Sequence, residues 1–301
     1  MSNRQMGLIA IAFSIAGYAL LPILTRYIYQ LSPLQPTDIA IWRFIFATPA
    51  IWIVIWLRDM NKREKPKRQD SRAQILRMMA LGLLYTCATL TAFFGLQYIP
   101  ASLYVVLFYT YPAMVAVISF FLGQKLRLVA WIAIALTLFG VFLTVPDLSI
   151  SGENTALGLS IAVLNAIVVA IYFVIISREM PKMSSVSRGA AFVITGTLLI
   201  LLLLIPFFGL RLPDNLETWG LLLALGTWST AMPIFVINIA IQKLGVAQAS
   251  IISTSEPIAT MFLAMVLLNE VILPIQWIGA TILITGVIIL ELRPKRGLIS
   301  A

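Results

Sequence analysis

The sequence predicts an all-α polytopic membrane protein of ten transmembrane helices, arranged as two inverted five-helix repeats. Three observations carry that prediction. First, 60% of the 301 residues are hydrophobic and only 11% are charged, and mean hydropathy is +0.98; a soluble domain of this size carries far more charge. Second, ten apolar stretches approach the roughly 20 residues that cross a bilayer as a helix. Third, the two halves of the chain repeat one another. The short alternating segments of a membrane β-barrel are absent.

Taken in order, the spans fall near residues 5–29, 37–57, 74–98, 101–123, 128–146, 156–177, 188–209, 216–242, 246–268 and 272–291. The first follows Arg4 and runs past 20 residues without a small-residue cleavage site, so it reads as a retained span. Lysine and arginine set the orientation. With the N-terminus inside, 18 of the 21 basic residues fall on inner segments, eight of them between Arg58 and Arg77. Arg211 stands alone in an outer loop, Arg26 near the outer end of span 1, and Arg43 within span 2. Asp147, Glu153, Asp214, Glu217 and Glu270 occupy outer loops. Both termini are thus expected in the cytoplasm. The basic run at 58–73 reads as a cytoplasmic loop beside anionic lipid. No aromatic or nucleic-acid motif accompanies it, so nucleic acid is not an expected partner.

The repeat aligns Gln97 to Val145 with Gln242 onward at an offset of 145, then 146 after one inserted residue. Gln97 meets Gln242, Pro112 meets Pro257, Trp131 meets Trp277 and Gly140 meets Gly286. The halves are then 1–147 and 148–301. Five spans is an odd number, so the second half crosses in the opposite sense, as in many secondary transporters. Pro112 and Pro257 take corresponding positions in the halves and are the expected hinges. Pro257 also frees the carbonyl of Ser253 from its helical bond. Spans 5 and 10 are nearly all apolar and are expected at the periphery, against lipid or a second protomer of a homodimer.

Span 9 holds the one acid deep in an apolar stretch, Glu256. An ionised carboxylate there costs about 2.5 to 3.5 kcal/mol on insertion scales and marks a candidate site. Three readings stand open: Glu256 binds a substrate ammonium, carries a coupling proton, or forms a structural ion pair with Arg43. Helical spacing sets Ala249, Ser253, Glu256 and Thr260 on one face. Tyr104, Phe108 and Tyr111 form a stripe on span 4, and Tyr85, Thr89 and Phe93 a stripe on span 3. Span 6 carries Asn165 and Tyr172 on one face; span 8 carries Trp228, Pro233, Asn238 and Gln242. Tyrosine and tryptophan offer an apolar wall with a polar tip, but both also pack between helices and at membrane interfaces. Candidate substrate-binding residues are Tyr85, Thr89, Tyr104, Phe108, Tyr111, Asn165, Tyr172, Trp228, Ser253 and Glu256, with Asn165 and Trp228 ranked ahead of Asn238 as cavity residues.

Histidine is absent and Cys87 is the one cysteine, so neither a metal site nor a disulfide framework is expected. No nucleophile–base pair and no Walker motif appear, so neither an enzyme nor an ATP-driven pump is expected, and no cofactor. A highly anionic cargo would call for several cavity lysines or arginines, where the spans offer Arg43. A channel fits the broken helices less well than alternating access.

Ala40-Ile-Trp-Arg-Phe44, Ala170-Ile-Tyr-Phe-Val174 with Ser177-Arg178, Glu256-Pro257, Leu267-Leu-Asn-Glu270 and Trp277-Ile-Gly279 with Gly286 carry a resemblance over nearly the whole chain. It resembles the EamA-type members of the drug/metabolite transporter superfamily, and among them the bacterial amino-acid and aromatic amino-acid exporters. Where that family usually closes span 4 with glycine-glutamate, this chain reads Gly123-Gln124. The resemblance implies export of small metabolites from the cytoplasm, linked to an ion gradient: amino acids first, cationic drugs or lipid as alternatives.

Overall fold

The computed structural model describes residues 2–60, 70–144 and 153–292. Among them are thirteen α-helices and no strand. Seven cover one expected span each: α1 (Asn3–Leu31), α2 (Pro36–Met60), α3 (Arg72–Tyr98), α6 (Leu128–Thr144), α7 (Glu153–Glu179), α8 (Val186–Phe208) and α13 (Pro274–Glu291). The other three spans are interrupted. Span 4 is α4 (Ala101–Phe108) and α5 (Tyr111–Phe121); span 9 is α11 (Val246–Ser253) and α12 (Glu256–Leu267). Span 8 is α9 (Leu216–Gly226), a π-helical turn at Thr227–Ala231, and α10 (Met232–Leu244). Among the described residues, nine spans are long and apolar enough to cross a membrane. The tenth, α6, has 17 residues, and its expected continuation lies outside the described residues, as do the 147/148 boundary, most of the basic loop and the C-terminal tail.

The two proline breaks are alike. Pro112 and Pro257 each fall within the first two positions of the helix that resumes after the break, where a missing N–H costs nothing. Thr110 and Thr254 turn their hydroxyls back onto the carbonyls of Leu107 and Ile251, at 2.7 and 2.6 Å.

The repeat is physical as well as sequential. α6 and α13 pack backbone to backbone: a Cβ on Gly140 would stand 2.5 Å from the Gly279 carbonyl oxygen and 2.6 Å from the Leu283 nitrogen. A Cβ on Gly286 would meet the Ala133 carbonyl at 2.7 Å and Thr137 Oγ1 at 2.6 Å. The offset of 146 carries Ala133, Thr137 and Gly140 onto Gly279, Leu283 and Gly286. Each half therefore makes the other's contact, as a pseudo-twofold axis between the two helices requires. Spans 5 and 10 do present outward faces, with Phe142 of α6 74% and Ile278 of α13 53% exposed, but their inner faces are packed on each other.

Polar loops close the two ends of the bundle. At one end, Arg188 bridges Asp59 at 2.8 Å, Lys182 and Arg77 meet Glu179, and Asp70 accepts from Ser184. At the other, Arg26 donates to the carbonyls of Leu96 and Gln97 at the end of α3, a favourable place for a cation. There too, Glu270 accepts from the N–H groups of Ala101 and Ser102 at 2.8 and 3.0 Å and from the Ser102 hydroxyl at 2.5 Å. A carboxylate from the second half thus caps the first turn of α4, where helical N–H groups have no partner of their own.

Candidate functional site

A cavity of about 330 Å³ lies between the halves. Its walls come from α1, α2, α3, α4, α5, α7, α10, α11 and α12. The broken helices meet there. Freed by Pro257, the Ser253 carbonyl is 3.3 Å from the Tyr109 hydroxyl, which donates to Glu256 at 2.9 Å. Tyr109 stands in the first-half break and Glu256 opens the helix after the second-half break. One hydrogen bond therefore joins the two repeats at their weakest backbone points.

Of the residues singled out in the sequence, Tyr85, Thr89, Tyr104, Phe108, Tyr111, Asn165, Tyr172, Ser253, Glu256 and Arg43 all line this cavity. The break between α4 and α5 does not scatter the Tyr104, Phe108 and Tyr111 stripe. Trp228 is placed elsewhere. It is 42% exposed and sits edge-on to Phe13 beside a separate apolar groove formed by α1, the π-turn and α10. Spacing on span 8 presumes a regular helix, and the π-turn rotates the chain at this residue. Asn238 bonds its own helix at the Ile234 carbonyl.

Arg43 and Glu256 do not form the ion pair that was one reading of them. The described ion pairs all lie at the polar end of the bundle. Arg43 Nε instead donates to Thr230 Oγ1 at 2.8 Å, and its guanidinium carbon lies 5.1 Å from the Phe44 ring centroid and 5.5 Å from that of Phe93. Such cation–π contacts stabilise a guanidinium removed from water. Each charge is held by neutral neighbours, and both face one cavity.

Not every polar wall group is open to a ligand. Asn165 donates to the Ala88 carbonyl at 2.5 Å and to Thr91 Oγ1 at 2.9 Å, and accepts from the Tyr104 hydroxyl at 3.0 Å. Its amide and that hydroxyl are used up in tying α7 to α3 and α4. The hydroxyls of Thr89, Tyr18, Tyr111 and Tyr172 make no hydrogen bond among the described residues. The rings themselves are continuous: Phe44 meets Tyr85, Tyr85 meets Tyr172, Phe173 stacks on Tyr111, and Tyr111 meets Phe108.

Sequence reading missed Ser14 and Tyr18 on α1, Tyr109, Phe173 and Thr230. Tyr109 had a signal, since the offset of 145 pairs it with Thr254 in the other break. Thr230 had none, because nothing local marks its partner 187 residues away.

The fold and cavity define a class: a helical membrane protein of two inverted halves with a central cavity between them. The chain belongs to the EamA-like transporter family, whose model matches twice, over residues 5–145 and 156–292. It is therefore a multi-pass membrane transporter. It is similar to a Synechocystis sp. protein described as an uncharacterized transporter, at 27% identity over 95% of this chain and 93% of the relative. A solved crystal structure superposes with a TM-score of 0.63 at 17% identity, covering 97% of this chain and 99% of the other; that likeness concerns the fold alone.

Proposed function

We propose that the protein is a secondary transporter that exports small zwitterionic metabolites, foremost neutral and aromatic amino acids, by alternating access. The observation that carries this reading is the pair of opposite charges, Arg43 and Glu256, that face one aromatic cavity without pairing to each other. A zwitterion supplies both missing partners, carboxylate to Arg43 and ammonium to Glu256, and its side chain meets the rings of Phe108, Tyr111 and Tyr172. The hydroxyls of Thr89 and Tyr111 and the Ser253 carbonyl complete the polar wall. Tyr85, Tyr104 and Asn165 shape it.

In this reading the halves 1–147 and 148–301 rock about the cavity, bending spans 4 and 9 at Pro112 and Pro257. Glu256 exchanges a proton, linking export to the gradient across a bacterial inner membrane, with both termini cytoplasmic. No chemical step on the substrate is involved. The outer faces of α6 and α13 are the surfaces a homodimer would use.

The test is counterflow in proteoliposomes. Vesicles loaded with one unlabelled amino acid at a time should accumulate labelled phenylalanine or threonine, and empty vesicles should not. A second reading, export of organic cations, draws on Glu256 among tyrosines. Accumulation of a labelled quaternary amine with no amino-acid counterflow would replace the first reading by the second. Scrambling of labelled phospholipid with neither would point to a flippase.

A further inference from the structure

We infer that Thr230 is a positioning residue: it aims Arg43 at the carboxylate of the substrate and so sets a preference for free amino acids over their uncharged carboxyl derivatives. The inference rests on the amino-acid reading above. It starts from the π-turn at Thr227–Ala231, a widened turn of a kind often found at functional sites. In it the Met232 N–H reaches back five residues to the Thr227 carbonyl. The Thr230 hydroxyl likewise donates to the Leu225 carbonyl, five residues back, at 2.7 Å. That bond uses the hydroxyl's one proton. Its oxygen can then only accept, and it accepts from Arg43 Nε at 2.8 Å.

The site is built rather than incidental. Thr230 is 1% exposed and Arg43 5%. α9 is pressed onto α2 at this residue: a Cβ on Gly226 would stand 2.6 Å from the Arg43 carbonyl oxygen. Phe44 and Phe93 flank the guanidinium. With Nε committed to Thr230 and the Tyr85 hydroxyl a second neutral partner of the guanidinium, the Nη edge is what remains to face the cavity. That edge can grip two carboxylate oxygens at once. No acidic side chain pairs with Arg43 among the described residues, so the anion that neutralises it is the ligand's. An ordinary α-helical turn would present the 230 side chain to the carbonyl four residues back and in a different direction. The π-turn therefore directs the fork.

Competition against counterflow of labelled phenylalanine, or whichever amino acid counterflow selects, tests this with the full-length protein. The competitors are the free amino acid and its α-amide, which keeps ammonium and side chain but loses the carboxylate charge. Wild type should prefer the acid. Thr230→Val should cut that preference roughly tenfold or more, the loss expected for a misdirected charge-assisted hydrogen bond, by weakening the acid and leaving the amide unchanged. Thr230→Ser should keep the wild-type preference, and Thr230→Ala stands in should the valine variant not fold. An unchanged preference without the hydroxyl, equal weakening of acid and amide, or a serine variant as poor as valine would each overturn the inference. Wild-type protein that moves no amino acid would instead sink the transport reading, before any variant is compared.

Discussion

At the scale of single residues, the cavity rests on a few hydrogen bonds made by side chains of its wall. Glu256 is the clearest case. Its carboxylate lies where ionisation is costly, and among the described side chains it is bonded by Tyr109 alone. If Glu256 carries the coupling proton, Glu256→Gln keeps the shape and loses the titration. Counterflow by that variant should weaken, because the substrate ammonium loses its charged partner, but persist, while export driven by an imposed pH gradient should vanish; full gradient-driven export would exclude proton carriage by Glu256. Asn165 illustrates the structural side of the same wall. With both amide groups engaged, Asn165→Leu should lower stability by about 1 to 3 kcal/mol, because it takes the acceptor from the Tyr104 hydroxyl and unties α7 from α3. Thermal unfolding in detergent reads this directly, and a Tm equal to wild type would contradict it.

At the scale of elements, interruption and close packing do different work. The breaks in spans 4 and 9 set Tyr109 against Ser253 and Glu256, which unbroken helices would not. The pairing of α6 and α13 is rigid by contrast. Gly140→Leu or Gly279→Leu must push the two backbones apart, since even a Cβ meets main-chain atoms at 2.5 to 2.6 Å. Overpacking of this kind typically costs about 1 to 3 kcal/mol, so both variants should show lower Tm and reduced yield of folded protein. The cap on α4 is a third element-scale feature. Glu270→Ala strands two helical N–H groups and should cost about 1 to 3 kcal/mol. The first-half counterpart of Glu270 at the offset of 146 is Gln124, which brings no charge to the corresponding turn. The two ends of the transporter are therefore not chemically equivalent, though its halves are related by the repeat.

For the whole molecule, the alternating access proposed above would require that one end of the bundle part while the other closes. The Glu270–Ser102 contact spans the halves at one such end. With Cys87 replaced by serine, Ser102→Cys and Glu270→Cys joined by a short thiol-reactive cross-linker should halt transport. A cleavable linker should restore it on reduction. Transport that continues at full rate with the cross-link in place would rule out parting of the halves at this end.

Much of this architecture was legible from residue order. The spans, the twofold repeat, both proline breaks and the isolation of Arg43 and Glu256 in apolar surroundings depend on local composition and period, which a linear chain displays. That α6 packs on α13 was not legible there: the offset equates Gly140 with Gly286, but Gly140 meets Gly279 and Leu283. What only the tertiary structure decided is how each helix is rotated about its axis and what it meets. In a bilayer the outward face of a helix is as apolar as the inward one, so amphipathic pattern cannot fix that rotation. The sequence pattern therefore did not show that Trp228, in the π-turn, faces outward, or that Tyr109, in the break, faces the cavity. Arg43 found Thr230 across 187 residues, and Glu256 found Tyr109 across 147. Those partners are fixed by packing of small residues and by the π-turn, so the charges read from the sequence acquire their directions only in the fold.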